Sequence, residues 1–340
     1  MAAYVDTVIR EWGMRRDEVP APHTSIYLGG GTPSLLPTAH LDRLFAAIPL
    51  DAATEITMEA NPEQITPELM KWLADSPVNR LSVGIQSLDD AQLAIIGRRH
   101  TARQALEAVE RIQRSSITNY SLDLIYGLPG QDLDSWKSSL GQLLEARPPH
   151  LSCYMLTYEP RTRLDAMRIA GKVAPASDDD LISMYDHLCS AAAQAGYEHY
   201  EISNFAQPGC RAVHNTNYWL DRPYIGLGAA AHSFDGRVRR VNPADLRRYM
   251  ALTDAPVYEI EEEDPDSLHN DLLLTRLRLT EGLSLSFYAE RYGFGAAQRL
   301  ERIAAPYIAS EQMELTPDRC LRITERGWLV TDSILVDLFR

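Results

Sequence analysis

The 340-residue chain is poor in cysteine, and its four cysteines stand far apart: Cys153, Cys189, Cys210 and Cys320 form neither a C-x-x-C nor a C-x-x-x-C pair. That spacing builds no local zinc or iron–sulfur site, and each thiol reads as a small buried group. Long apolar runs are missing as well. None reaches bilayer length and no basic-then-apolar signal opens the chain, so a cytoplasmic protein without stable membrane insertion is expected. Positive charge is in deficit. With 33 Lys and Arg against 47 Asp and Glu, the net charge of −14 excludes nucleic acid or an anionic membrane surface as the main partner. No Gly-Lys-Ser/Thr follows the one glycine cluster, so there is no P-loop, and no Ser/His/Asp arrangement, internal repeat or low-complexity segment is visible.

What the chain does have is an alternation of strand and helix patterns. Strands are predicted at Thr24–Leu28, Glu55–Glu59, Arg80–Gln86, Tyr120–Tyr126 and His150–Tyr158. Between them, helices are predicted near Thr38–Ile48, Pro67–Ala74, Asp89–Ile96, Ala102–Arg114 and Asp134–Ala146. Thr66 before Pro67 has N-cap chemistry, and Thr101 with Gln104 has capping-box spacing. Repeated β–α units of this length imply parallel strands with crossover helices, as a barrel or an open sheet.

Before them, Met1 to about Arg16 reads as an amphipathic helix: Tyr4, Val5, Val8, Ile9 and Trp12 form one face, with Asp6, Arg10, Glu11 and Arg15 opposite. Pro20 and Pro22 follow in a linker. A β/α domain normally opens with a strand, and the apolar face of this helix needs a sheet to pack on. A strand and its loop are therefore expected to be missing before Met1, leaving an unpaired sheet edge or an unclosed barrel.

Beyond Pro160 a helix starts at Ser177–Asp180 and an aromatic segment runs through Tyr197–Phe205. Asp235-Gly236 then gives a hairpin signal between Ala230–Phe234 and Arg237–Val241. An acidic linker, Glu259–Asp266, precedes helices at Leu272–Leu279, Phe287–Tyr292 and Ala297–Ser310. A hairpin about Pro317-Asp318-Arg319 and a final helix at Gly327–Leu338 complete a winged-helix-like outline. The division expected is 1–175, 176–258 and 259–340.

Chemistry is expected at the carboxyl ends of the strands, where β/α proteins bind ligands. The first strand runs into Gly29-Gly30-Gly31-Thr32-Pro33-Ser34, a loop able to bring backbone N–H and C=O groups close to a ligand. Glu59 closes the second strand, Gln86 the third, and Asp123 interrupts the fourth. Taken singly, Glu59 could cap the next segment, Gln86 could satisfy a loop carbonyl and Asp123 could pair with an arginine. Three on successive strands beside a glycine loop suggest a pocket. Arg98 lies between two helices, placed either to bind a carboxylate in two-pronged fashion or to stand as a solvated helix-end cation. His214, beside two aromatics and with no second His at i+4, has the pattern of a hydrogen-bonded core residue. A haem axial ligand, however, needs only one His.

Together, Gly29–Ser34, Met58-Glu59-Ala60-Asn61-Pro62, Val83-Gly84-Ile85-Gln86-Ser87, Asp123–Gln131 and His214-Asn215-x-x-Tyr218-Trp219 resemble the HemN/HemW family of radical S-adenosylmethionine (SAM) proteins. This family comprises oxygen-independent coproporphyrinogen III oxidases and haem chaperones, and the His-Asn-x-x-Tyr-Trp motif is more similar to the chaperone branch. The resemblance implies a partial (β/α)6 barrel, here with its first strand missing, plus a small C-terminal domain. It implies SAM contacts from Gly30, Gly31, Thr32 and Glu59, completed by Gln86, Arg98 and Asp123, and places His214 in a haem-binding region. Haem, haem-requiring apo-proteins and an electron donor are the implied partners; no catalytic residue is assigned. The family's [4Fe-4S] cluster sits on a C-x-x-x-C-x-x-C loop after the first strand. That element is the one expected to be missing, and none of the four cysteines replaces it. A true start upstream of Met1 is the expectation. Haem delivery is the function implied first, with SAM-dependent oxidative decarboxylation of coproporphyrinogen III as the alternative.

Overall fold

Five strands alternate polar and apolar residues, broken only at Ile125: β1 (Ser25–Leu28), β2 (Glu55–Ala60), β3 (Arg80–Gln86), β4 (Asn119–Tyr126) and β5 (His150–Met155). Period-two alternation gives the sheet one apolar and one polar face. The computed structural model of the chain describes residues 1–19, 22–50, 54–253, 255–261 and 264–340. Pro20 of the first linker and Glu262 and Glu263 of the acidic linker lie outside the described residues.

The five strands pair in parallel and in chain order. Helices α2 (Thr38–Ala47), α3 (Pro67–Asp75), α4 (Asp90–Ile95), α5 (Ala102–Gln113) and α6 (Leu133–Glu145) make the crossovers. Their starts follow the predicted chemistry: Thr66 caps α3, and Thr101 and Gln104 form a reciprocal capping box on α5. The apolar strand face, with Met58, Leu81, Val83, Ile85, Leu122 and Leu124 fully buried, packs on Leu41, Leu73, Ile112, Trp136 and Leu140 of those helices. Full burial of each such side chain stabilises by roughly 1.5–3 kcal/mol.

The structure departs from the sequence expectation, or goes beyond it, in three places. The fifth strand ends at Met155, short of Tyr158. After α7 (Arg163–Ile169) and α8 (Asp178–Gln194), the aromatic segment does not add another parallel strand. It forms an antiparallel pair, β6 (Glu198–Glu201) and β7 (Asn204–Ala206), with β7 seated against β5. Two residues between the pair make a tight turn, which only antiparallel strands can use. The first helix, α1 (Ala2–Arg15), does not lie on the sheet: it packs on α2 and on the segment that follows α9 (Val213–Trp219), and Glu11 and Arg15 are buried rather than solvated.

The hairpin predicted at Asp235-Gly236 joins β8 (His232–Phe234) to β9 (Arg239–Val241). After α10 (Leu246–Met250), β10 (Glu259–Glu261) pairs with β9. The C-terminal unit comprises α11 (Pro265–Arg276), β11 (Leu283–Ser284), α12 (Leu285–Tyr292), α13 (Phe294–Ala309), β12 (Met313–Leu315), β13 (Cys320–Ile323), α14 (Glu325–Trp328) and α15 (Thr331–Leu338). The helix expected at Leu272–Leu279 starts at Pro265, capped by Asp264, and stops at Arg276. The expected last helix is two, broken at Leu329 and Val330. No helix among the described residues is long and apolar enough to cross a membrane.

Candidate functional site

Register sets the polar face. Thr57 pairs with Arg80, Glu59 with Ser82, Ser82 with Ser121, Gly84 with Asp123, and Asp123 with Ser152. Glu59, Ser82, Gly84 and Asp123 therefore share one face near the carboxyl ends, beneath the glycine loop.

The loop itself is held by that face. Glu59 accepts a hydrogen bond from the Tyr27 hydroxyl at 2.9 Å and faces the backbone N–H of Gly30. Gly30 is left-handed at φ +76°, a conformation a side chain resists, and a Cβ there would meet open space. Burial raises the Glu59 pKa, opposed by the Tyr27 hydrogen bond, and the Asp123 charge raises it further. Asn61, one turn beyond, donates to Thr32 Oγ1 at 3.5 Å and accepts from Arg98 Nη1 at 3.0 Å. Arg98 is thus drawn into the site and is not a solvated helix-end cation.

At the end of β3 the pairing with β4 shifts between Gly84 and Gln86, and Gln86 sits at φ +66°. A buried non-glycine residue in that region is strained and rare, and such strain concentrates at functional positions. Its side chain folds back over Gly84, where a Cβ would lie 2.6 Å from Gln86 Nε2 and 3.4 Å from Asn61 Oδ1. Among the described residues Asp123 is hydrogen-bonded to serines, accepting from Ser82 and Ser121 at 3.0 Å each, while burial raises its pKa against the lowering effect of those bonds and of the Arg80 charge.

His214 lies at the opposite end of the polar face, on α9. The backbone N–H groups of Val213 and His214 donate to the Glu55 carboxylate at 3.0 and 2.9 Å, so the start of β2 fixes the start of this helix. His214 Nδ1 is 2.9 Å from Ser25 Oγ, Nε2 is 3.1 Å from the Tyr218 hydroxyl, and burial lowers its pKa to about 4. The imidazole is neutral and stacks on Tyr27, centroids 4.7 Å apart. One residue, Tyr27, therefore touches both Glu59 and His214.

A second link runs through the interior. Ala212 N–H points at the Tyr200 hydroxyl, Tyr200 bonds His150 Nε2 at 2.8 Å, and His150 Nδ1 bonds Ser121 at 2.8 Å, which donates to Asp123. With Nδ1 protonated every member is satisfied, and burial holds His150 neutral. On the outer side of α9, Tyr218, Trp219, Tyr224 and Phe234 line a half-open cleft of about 260 Å³ with Arg222 and the Arg239–Asp271 pair.

Gly30, Gly31, Thr32, Glu59, Gln86, Arg98 and Asp123 are thus brought to one end of the sheet, and His214 is joined to them through Tyr27. Sequence reasoning missed Tyr27 and Asn61, and Ser82 and Ser121 with them. The available signal was the strict polar alternation Ser25-x-Tyr27, Glu55-x-Thr57-x-Glu59, Ser82-x-Gly84 and Ser121-x-Asp123. The cysteines depart from expectation in part: Cys153 and Cys189 are buried, but Cys210 and Cys320 are half-exposed. None lies at the glycine loop. Cys153, on β5, points to the apolar face.

Residues 8–143 match the radical SAM superfamily and residues 264–330 the HemN C-terminal domain. The haem chaperone HemW of Lactococcus lactis is 38% identical over 73% of this chain and 66% of its own length. HemW of Synechocystis is 36% identical over 83% and 70%, and that of Bacillus subtilis 34% over 79% and 73%. The aligned chain thus spans about two thirds of the length of these relatives. In fold it is similar to coproporphyrinogen III oxidase (HemN) from Escherichia coli, with a TM-score of 0.83 at 20% identity, covering 99% of this chain and 82% of that one. The chain belongs to the radical SAM family that carries a HemN-type C-terminal domain and includes the HemW haem chaperones.

Proposed function

We propose that the protein binds haem and delivers it to haem-requiring proteins, on a scaffold that also binds SAM. The single observation carrying this reading is the identity of 34–36% with relatives named haem chaperones, over most of this chain. The five parallel strands are proposed as the core of a partial (β/α)6 barrel over 1–175, extended by 176–258, which adds β6 and β7 to the same sheet, and followed by a HemN-type domain over 259–340. The likeness in fold to HemN supports that division.

SAM would lie on the glycine loop. Gly30, Gly31 and Thr32 offer backbone groups, Glu59 accepts from ribose hydroxyls or an ammonium, and Arg98 with Gln86 and Asp123 closes the remaining side. Three observations support the fit: the open space at Gly30, the half-buried carboxylates of Glu59 and Asp123, and the strained Gln86. SAM supplies a carbon–sulfur bond open to reductive cleavage at an iron–sulfur cluster. The four cysteines of these 340 residues do not converge on the site, so their donor set does not fit a cluster.

Haem would be held beside α9, with His214 Nε2 as the iron ligand once the Tyr218 hydroxyl, which bonds that nitrogen and whose residue lines the aromatic cleft, moves aside. Titration of the full chain with haem should shift the haem absorption bands. His214→Ala should weaken binding at least tenfold, and Tyr218→Phe, which frees Nε2, should retain or strengthen it. Unchanged spectra in the parent protein would defeat the chaperone reading. Conversion of coproporphyrinogen III to protoporphyrinogen with SAM and a reductant would replace it by the oxidase reading.

A further inference from the structure

A cluster of donor side chains lies away from the SAM and haem positions, where α8, β6 and α14 meet. Cys189, on α8, is 6% exposed. Its Sγ lies 3.8 Å from Nδ1 of His199 on β6, and the carboxylate of Glu325, the first residue of α14, completes a group whose ligand atoms all lie within 4.8 Å of one another. A zinc ion with bonds of about 2.3 Å to sulfur and 2.0–2.1 Å to nitrogen holds a tetrahedral S and N about 3.5 Å apart. The observed separation needs only a few tenths of an ångström of closure.

The imidazole is fixed for this role. It stacks on Phe205 with centroids 3.9 Å apart and meets the Trp328 ring edge-on at 4.1 Å, so Nδ1 is held towards the thiol. Its buried Nε2 faces the backbone of Ile202 and Glu201, the setting in which a metal-bound imidazole directs its second N–H. The buried Tyr185 hydroxyl lies beside Cys189, within bonding reach of its sulfur. A bound divalent metal would deprotonate the Cys189 thiol and take the neutral imidazole as its ligand. Thiolate, carboxylate and a divalent cation sum to zero charge in this apolar setting. A thiolate–imidazole–carboxylate set selects zinc over magnesium or calcium.

We infer that Cys189, His199 and Glu325 form a zinc site that ties α14 of the C-terminal unit to α8 and β6, with the fourth position taken by water or by the Tyr185 hydroxyl. Loading releases the Cys189 proton to solvent and changes no oxidation state. The test uses the full chain, stripped with chelator and titrated with Co²⁺ and with Zn²⁺. One equivalent of each should bind, the cobalt form should show thiolate-to-metal charge-transfer absorption, and zinc should raise the melting temperature. Cys189→Ser should abolish the charge-transfer band. Glu325→Gln, at an exposed position that leaves the fold intact, should weaken zinc at least tenfold and remove the thermal shift. Cys210→Ser and Cys320→Ser should change neither. A thiolate band that survives Cys189→Ser, or zinc affinity and thermal shift unaltered in Glu325→Gln, would overturn the site, as would a parent protein that binds no cobalt through sulfur.

Discussion

Gly84 and Gln86 are two residues apart on one strand, yet each explains the other. The Gln86 backbone turns left-handed where β3 leaves register with β4, and its amide then occupies the space a Gly84 side chain would need. Gly84→Ala should displace the Gln86 side chain and destabilise by roughly 1–3 kcal/mol, the usual cost of overpacking. Gly84→Ala with Gln86→Ala should recover most of that loss, because the clash partner is gone. Denaturant unfolding of the two single variants and the double variant measures the coupling. Additive losses would mean that the methyl group strikes something other than Gln86. At this scale the glycines, Glu59, Gln86 and Asp123 were legible, because polar residues interrupt apolar strands at their ends. Tyr27 was not. A tyrosine between Ile26 and Leu28 reads as core, and only the register of β1 on β2 turns its hydroxyl to Glu59. Arg98 was ambiguous for the same reason: its partner Asn61 lies 37 positions away and on another element.

Among the elements, α1 shows where local periodicity misleads. Its pattern places Glu11 and Arg15 with the solvated residues, yet they are 1% and 0% exposed and bond each other at 2.8 Å. Glu11 also accepts from Asn242 at 2.7 Å, from the Tyr249 hydroxyl at 2.8 Å and from Gly228 N–H at 3.0 Å. Arg15 donates to the Gly226 carbonyl, to Ser233 and to both oxygens of Glu18, and its guanidinium lies over the Tyr258 ring. A buried charge pair is tolerated only when its remaining donors and acceptors are met. Apart from Glu18, the partners come from residues more than 200 positions away, which no helical wheel contains. Glu11→Ala leaves Arg15 charged and buried and should cost about 3–5 kcal/mol. Glu11→Ala with Arg15→Ala should cost less than the sum of the two single changes, as read by thermal unfolding. The β–α crossovers and caps were legible in sequence because they are local. The antiparallel β6–β7 pair was not, since the aromatic run Tyr197–Phe205 satisfies either strand direction.

At the scale of the whole molecule, the C-terminal unit docks by extending a strand edge. Ile202 N–H donates to the Arg278 carbonyl, Thr280 N–H to the Tyr200 carbonyl, and Glu201 bridges Leu279, so the free side of β6 is paired from beyond α11. Glu201 is 1% exposed at this seam. Burial raises its pKa to about 7, against the lowering effect of Ser203 N–H, Asn204, Trp219 and Arg278. The folded state therefore holds a proton on Glu201 that the unfolded chain, with a carboxyl near the ordinary value of about 4.3, has released. Stability from this group is full below the unfolded pKa and falls as pH rises towards 7, by about 1.4 kcal/mol for each unit separating the two values. The buried histidines His199 and His214, with lowered pKa values, act in the opposite sense, gaining stability as pH rises. A bare pH profile of the parent protein mixes the two effects. Glu201→Gln separates them, because the amide mimics the neutral acid and leaves both histidines in place. The variant should match the parent at pH 4 and exceed it at pH 7, with the difference in melting temperature growing through that interval. A difference that stays flat would mean that Arg278 and the backbone at Ser203 hold Glu201 ionised, and that the seam is closed by strand pairing alone, independent of pH.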